Sequence, residues 1–260
     1  MKITTIILDW AGTTVDFGSF APVDAFMSAF AAFGVSPTAD ETRAPMGLAK
    51  RAHVAAMLSF ERLAGQWVEK NGRAHTEADI DAVYEKFEPA LFNVLNRYAA
   101  PLPLVLETIA TLRNRGIKIG STTGYTQAMM DVVAPLAKER GYAPDCLVCP
   151  DDTGGRGRPY PYMLWRNLEK LGTAHVGEVL KIGDTDADMK EAKTAGCLSA
   201  GVIIGSSMLG LSESEVEALT PQRKEDLFAE TRQKYFQAGA DFVIDHIGEL
   251  PMLITTIGGL

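Results

Sequence analysis

Residues 4–20 read TTIILDWAGTTVDFGSF. A β-branched apolar run ends there in a single carboxylate, Asp9, and then turns at Gly12, Thr13 and Thr14. That is the pattern of a buried strand delivering a side chain to the carboxyl edge of a sheet. Taken alone, Asp9 reads equally as a turn or cap aspartate or as a nucleophile facing an anion. Ala11 sharpens the question, because it stands two residues on, where a proton donor would be useful.

Runs of the same kind recur at 3–8, 117–123, 146–149, 179–183, 200–205 and 242–244, and helical patterns separate most of them. Short, nearly continuous apolar strands alternating with helices predict an α/β fold with a doubly wound parallel sheet, Rossmann-like. In such sheets ligands bind beyond the carboxyl ends of the strands. From residue 20 to residue 99 no strand pattern occurs. Helical spacing is read at 22–34, 45–58 and 76–99, the last opened by a Thr-x-x-Asp capping pattern. The expected organisation is therefore a core of residues 1–19 and 100–260 with an inserted all-helical cap, 20–99, lying over the sheet's carboxyl edge as a lid. Residues 206–239 read as a charged helical connection with a Thr-Pro start and no assigned chemistry.

The whole chain has 260 residues, 47% hydrophobic and 22% charged, with a formal charge of -8. This is ordinary globular composition, ample for a buried core. The acidic balance, with a pI near 5.1, argues against nucleic acid as a partner and for a small molecule. No apolar run reaches membrane-span length, and MKITTIILDW meets Asp9 too early for a signal peptide, so a cytoplasmic location is expected. Cys146, Cys149 and Cys197 are odd in number. The C-x-x-C pair lies in a short strand pattern with no histidine nearby, and buried structural thiols are expected rather than a metal site.

Three further stretches carry chemistry. IKIGSTTGYT (117–126) ends a strand in hydroxyls and a glycine, placing Thr123 and Gly124 to donate hydrogen bonds to an anion at a helix start; a helix cap explains the threonine as well. GGRGRPYPYML (154–164) offers Arg158 before Pro159, which is read as a first helical residue holding a guanidinium near a helix start. VLKIGDTDADMKEAKTAG (179–196) delivers Asp184 from a buried strand, with Asp188 four residues later. Hard oxygen ligands there, opposite Asp9, suit Mg²⁺. Asp186 is read as a cap or solvent residue.

The aspartate after strand one, the hydroxyl after strand two, the basic residue before a helix and G-D-x-x-x-D resemble the four signature motifs of the haloacid dehalogenase superfamily. Its phosphatases and phosphomutases usually carry an acid two residues after the nucleophile, where this chain has Ala11. A carbon leaving group would need an electron sink instead of a proton, and a lysine imine supplies one. APMGLAKRAHV (44–54) places Lys50 in the insert with His53 three residues on. Together, DWAGTTVDFG, PMGLAK, GSTTGYT, GRPYPYM and GDTDADMKEA resemble the phosphonatase branch of that superfamily, the hydrolases of phosphonoacetaldehyde.

The resemblance implies cleavage of a phosphorus–carbon bond, with Lys50 forming an imine, Asp9 attacking phosphorus and Mg²⁺ as the only cofactor. It implies a metal held by Asp9, the Ala11 carbonyl and Asp184, with Asp188 acting through water. Thr123, Gly124 and Arg158 would hold the phosphoryl oxygens, and Gly12 would permit close backbone approach. Lys50 is expected to have a depressed pKa. His53 and Met46 are candidates for proton management, and Tyr125 for the aldehyde pocket, with packing an alternative for each. A phosphatase or phosphomutase of the same fold, and a catalytically dead phosphate binder, are the competing readings. The resemblance also suggests a homodimer, for which Phe26, Met27, Phe30 and Phe33 offer a lid-to-lid surface.

Overall fold

A computed structural model describes residues 2–258. The opening apolar run forms β1 (Thr5–Leu8), buried at every position. Five helices follow with no strand among them: α1 (Phe20–Ala31), α2 (Ala39–Arg43), α3 (Lys50–Leu58), α4 (Glu61–Asn71) and α5 (Glu77–Leu95). The chain then alternates through α6 (Val105–Asn114), β2 (Lys118–Thr122), α7 (Gln127–Glu139), β3 (Cys146–Val148), α8 (Tyr162–Leu171), β4 (Val179–Gly183), α9 (Asp186–Ala195) and β5 (Leu198–Val202). It ends in α10 (Glu213–Glu217), α11 (Pro221–Ala238), β6 (Phe242–Ile244) and α12 (Leu250–Gly258).

All neighbouring strands are parallel, in the order β3-β2-β1-β4-β5-β6. β1 is central, with Leu8 in register with Ser121 of β2 and Ile182 of β4. Asp9 N donates to Ile182 O at 3.0 Å, so the nucleophile candidate leaves the sheet where the connections turn to opposite sides. That crevice is the expected ligand position of an open α/β sheet. Among the described residues no helix is long and apolar enough to cross a membrane.

The α/β architecture is the one expected from the sequence, and four differences are local. The expected 45–58 helix begins only at Lys50, because Gly47, at φ +87°, holds a turn before it. β5 starts at Leu198, two residues early, and Ile203 N and Ile204 N still donate to Ile244 O and Asp245 O beyond its end. Pro159 does not open a helix: the Arg158–Pro159 bond is cis, and α8 starts three residues later at Tyr162. Helix α4, which buries Leu63 and Trp67 on one face, and the short α2 add to the three helical patterns expected in the insert. The Thr76 capping box that opens α5 is present as expected.

Within the helical insert, α1 packs on α5, with the Phe26 and Phe87 rings stacked at 4.0 Å. Phe26 and Phe30 are fully buried, Phe33 stacks on Trp67 at 5.4 Å, and only Met27 of the expected aromatic surface is exposed, at 37%. Core packing therefore accounts for these phenylalanines, since an amphipathic helix turns its aromatic stripe inward. The three cysteines are free and buried, and burial pushes the Cys149 and Cys197 thiols up to about 12.

Candidate active site

Three strand ends and one strand-to-helix connection build the site. The turn after β1 contributes Asp9, the end of β2 Thr122 and Thr123, the turn before α8 Arg158, and the end of β4 Asp184. Asp9, Asp184 and Asp188 each offer a carboxylate oxygen within 4.8 Å of the others. Gly12 makes this closeness possible. Its φ of +84° is a left-handed conformation, and a Cβ there would lie 2.1 Å from Asp184 Oδ2.

Arg158 is fully withdrawn from solvent and fixed by three carboxylates. Its Nη2 meets Asp9 Oδ1 at 2.6 Å, its Nη1 Asp188 Oδ1 at 3.1 Å, and its Nε Glu191 Oε2 at 3.1 Å. Burial works against its charge, but Asp188, Asp9 and Glu191 outweigh this and raise its pKa. Asp188 is committed on both oxygens: Oδ1 also pairs with Lys181 at 2.9 Å, and Oδ2 accepts from the Thr185 hydroxyl at 2.6 Å as part of the α9 capping box. Arg158 and Lys181 overcome its burial and lower its pKa.

Asp184 behaves oppositely. Burial, then the charges of Asp9 and Asp188, raise its pKa well above the carboxylate range. Its Oδ2 accepts from Ser207 N at 2.8 Å, whereas the buried Oδ1 has no protein partner among the described residues. Ionised Asp9, Asp184, Asp188 and Glu191 would carry four negative charges against three positive ones on Arg158, Lys181 and protonated Lys50. Such a surplus in a buried site suits one divalent cation with oxygen ligands.

The insert supplies the fifth part. Lys50, first residue of α3 and 4% exposed, lies with its ammonium 4.8 Å from the Tyr125 ring centroid. Burial lowers its pKa to about 8; Asp9 opposes that shift and Arg158 adds to it. Lys50, Met46 and Tyr125 enclose a cavity of about 20 Å³ together with Asp9, Arg158 and Asp184. The turn before α3 sits tightly on the sheet edge: a Cβ on Gly47 would come 2.4 Å from Thr185 Oγ1, and one on Gly124 would come 2.7 Å from Leu48 O. A larger groove of about 710 Å³, lined by Met27, Arg43, Met46, Asp184 and Ser207 among others, adjoins the small cavity.

Of the expected site residues, Asp9, Ala11, Met46, Lys50, Thr123, Gly124, Tyr125, Arg158 and Asp184 line that one small cavity. Thr123 Oγ1 accepts from Tyr125 N at 3.0 Å, shaping the turn after β2. His53 is not among the lining residues. Its ring is stacked on Phe26 at 3.9 Å, its Nε2 donates to Thr42 O at 2.9 Å, and burial and the Lys50 charge hold its pKa well below the usual range. Asp186 pairs with Lys190 at 2.5 Å on the half-exposed side of α9, as a first-turn residue rather than a site group.

The haloacid dehalogenase-like hydrolase model matches residues 3–196. Phosphonoacetaldehyde hydrolases of Bacillus cereus and Bacillus anthracis are each 50% identical over 257 residues, covering 99% of this chain and 97% of the relative. The chain belongs to the phosphonoacetaldehyde hydrolase family. A crystal structure of a phosphonoacetaldehyde hydrolase-like protein from Oleispira antarctica, 36% identical, superposes with a TM-score of 0.96 over 100% of this chain and 94% of its own.

Family membership leaves several buried residues that the sequence reading passed over. Lys181, Glu191 and Thr122 form the floor under Arg158, Ser207 holds Asp184, and the Tyr235 hydroxyl donates to Asp184 O at 3.0 Å. A lysine in the middle of a wholly buried central strand was the available signal, because such a charge is rare without a partner. Glu191, three residues after Asp188 on the same helix face, was the second.

Proposed function

We propose that this chain hydrolyses phosphonoacetaldehyde to acetaldehyde and inorganic phosphate, breaking the phosphorus–carbon bond through a Lys50 imine and an Asp9 aspartyl phosphate. The observation that carries this reading is the enclosure of Lys50 with Asp9 and Arg158 in one cavity, opposite Ala11. A lysine with a pKa near 8 is partly neutral at physiological pH and able to add to an aldehyde.

Addition of the Lys50 amine to the aldehyde carbon and loss of water gives the imine, which is protonated. An Asp9 oxygen then attacks phosphorus, and the phosphorus–carbon electron pair moves into the iminium to give an enamine. No acid is needed at position 11, because the leaving carbon's electrons are held in the enamine. Water next hydrolyses the aspartyl phosphate. The enamine takes a proton on carbon, and a second water releases acetaldehyde and Lys50, so the cycle consumes one water net. Arg158, fixed beside Asp9, would neutralise phosphoryl charge as the reaction proceeds.

Asp9, Asp184 and the Ala11 carbonyl would hold Mg²⁺, and the unpartnered Asp184 Oδ1 and the surplus negative charge support that assignment. Asp188, with both oxygens engaged, would act one layer out. When bound, the ion supplies positive charge beside the transferring phosphoryl group. A cavity of about 20 Å³ holds scarcely one water. The helical insert therefore acts as a lid that must withdraw to admit substrate.

The test is borohydride trapping: phosphonoacetaldehyde is added, the adduct is reduced, and a digest is read by mass spectrometry. A reduced adduct at Lys50 with loss of activity is expected. Unmodified Lys50 together with turnover of simple phosphate esters would replace this reading with the phosphatase one.

A further inference from the structure

Glu191 lies on α9 one turn beyond Asp188 and is completely buried. A buried carboxylate persists only when its charge is met. Glu191 Oε2 is met three times: by Arg158 Nε at 3.1 Å, by the Thr122 hydroxyl, which donates at 2.9 Å, and by Lys181 Nζ at 3.6 Å. Thr122 Oγ1 in turn accepts from Arg158 Nη2 and from Lys181 Nζ, each at 2.9 Å. The guanidinium is planar and rigid, so holding Nε fixes where the two terminal nitrogens point. Here one of them points at Asp9 and the other at Asp188.

We propose that Glu191 is a positioning residue of the reaction: with Thr122 and Lys181 it locks the Arg158 plane, so that a terminal nitrogen faces the phosphoryl position beside Asp9. Without it, the guanidinium has two carboxylates left, both at the metal side of the site, and turns toward them. Lys181 keeps Glu191 from drawing Arg158 away by sharing the same oxygen. The inference rests on the proposed phosphoryl transfer to Asp9, but it does not depend on the imine.

The experiment compares wild type with Glu191→Gln, which keeps the shape and an acceptor oxygen but removes the charge, and with Glu191→Asp, which keeps the charge but withdraws it by a methylene. Three quantities are measured on the Mg²⁺-loaded full chain: the rate of phosphate release, the calorimetric Kd for inorganic phosphate, and the yield of borohydride-trapped Lys50 adduct. Both variants are expected to release phosphate about 10- to 100-fold more slowly, as an ångström-scale misplacement of a catalytic group does, and to bind inorganic phosphate about tenfold more weakly, since it loses a charge-assisted contact. The adduct yield should stay at the wild-type level, because Lys50 reaches the site from the insert. Unchanged phosphate affinity and release in folded variants would overturn the proposal, as would an adduct yield that falls in parallel with release. If neither variant folds, Thr122→Val removes the hydroxyl tying Glu191 to Arg158, and the same outcomes apply. A wild type without any adduct counts against the imine reading alone, while phosphate affinity still decides the role of Glu191.

Discussion

Replacing Lys50 by methionine should abolish turnover and at the same time stabilise the protein, and the size of that gain should depend on pH. Lys50 is almost wholly buried, and burial brings its pKa from 10.5 to about 8. Below pH 8 the ammonium is present in both the folded and the unfolded chain, so folding bears the full cost of burying it. A difference of that size corresponds to about 3 kcal/mol, at about 1.4 kcal/mol for each pH unit. Between pH 8 and 10.5 the unfolded state binds more protons than the folded one, and wild-type stability rises with pH by linkage. Above 10.5 the amine is neutral in both states and the cost is gone. Methionine has a similar length and no charge, so Lys50→Met isolates this difference. Urea unfolding of both proteins in chelator, from about pH 7 to about pH 10.5, gives the gap directly, because groups common to both chains cancel. The variant should be more stable by about 2–3 kcal/mol at about pH 7, and the gap should close as pH rises through the range. A gap that is constant with pH, or widens, would mean that Lys50 is not held with a depressed pKa.

Two further outcomes follow from the same geometry. Gly12→Ala puts a Cβ 2.1 Å from Asp184 Oδ2 on a backbone with φ +84°, and should cost about 1–3 kcal/mol in urea unfolding while weakening Mg²⁺ binding by calorimetry; wild-type values in both would show that the turn has room to spare. Asp16 caps α1 through Phe20 N and Ala21 N, and burial raises its pKa to about 7. Because its folded pKa lies above the unfolded value, wild type should lose stability relative to Asp16→Asn as pH rises from about 4 through 7, and a difference curve of opposite slope would contradict the assignment.

What could be read from the sequence was the part written in neighbouring residues. The strand and the turn at 4–14 announce themselves, because a parallel strand buried on both faces is mostly apolar and the turn after it needs a glycine where the backbone passes close to Asp184. Asp184 and Asp188 share one strand-to-helix junction and are legible for the same reason. The Arg158 contacts were not legible, since Pro159 suggested a helix start, and the residue before a proline is in fact biased away from helix. Lys181 and Glu191 are joined only through the fold, one from β4 and one from α9. Residues 206–239 look like a solvated connection, yet the turn before α10 supplies Ser207 N to Asp184, and α11 supplies Tyr235 to its carbonyl. Backbone donors carry no residue signature, so no sequence pattern marks the first of these.

The alanine at position 11 is best understood from the side opposite the sheet. An acid there would meet a site whose cluster of Asp9, Asp184 and Asp188 is already short of positive charge, and would raise the Asp184 pKa further. It would also face Lys50 across about 20 Å³. A carboxylate that close to an amine raises the amine's pKa and keeps it protonated, which is the wrong state for attack on an aldehyde. Lys50 already has Asp9 pulling its pKa upward, opposed by burial and by Arg158. One more negative charge would tip that balance. On the proposed imine chemistry, the small residue and the buried lysine are two halves of one electrostatic arrangement: the insert would supply a neutral amine because the turn after Asp9 withholds an acid.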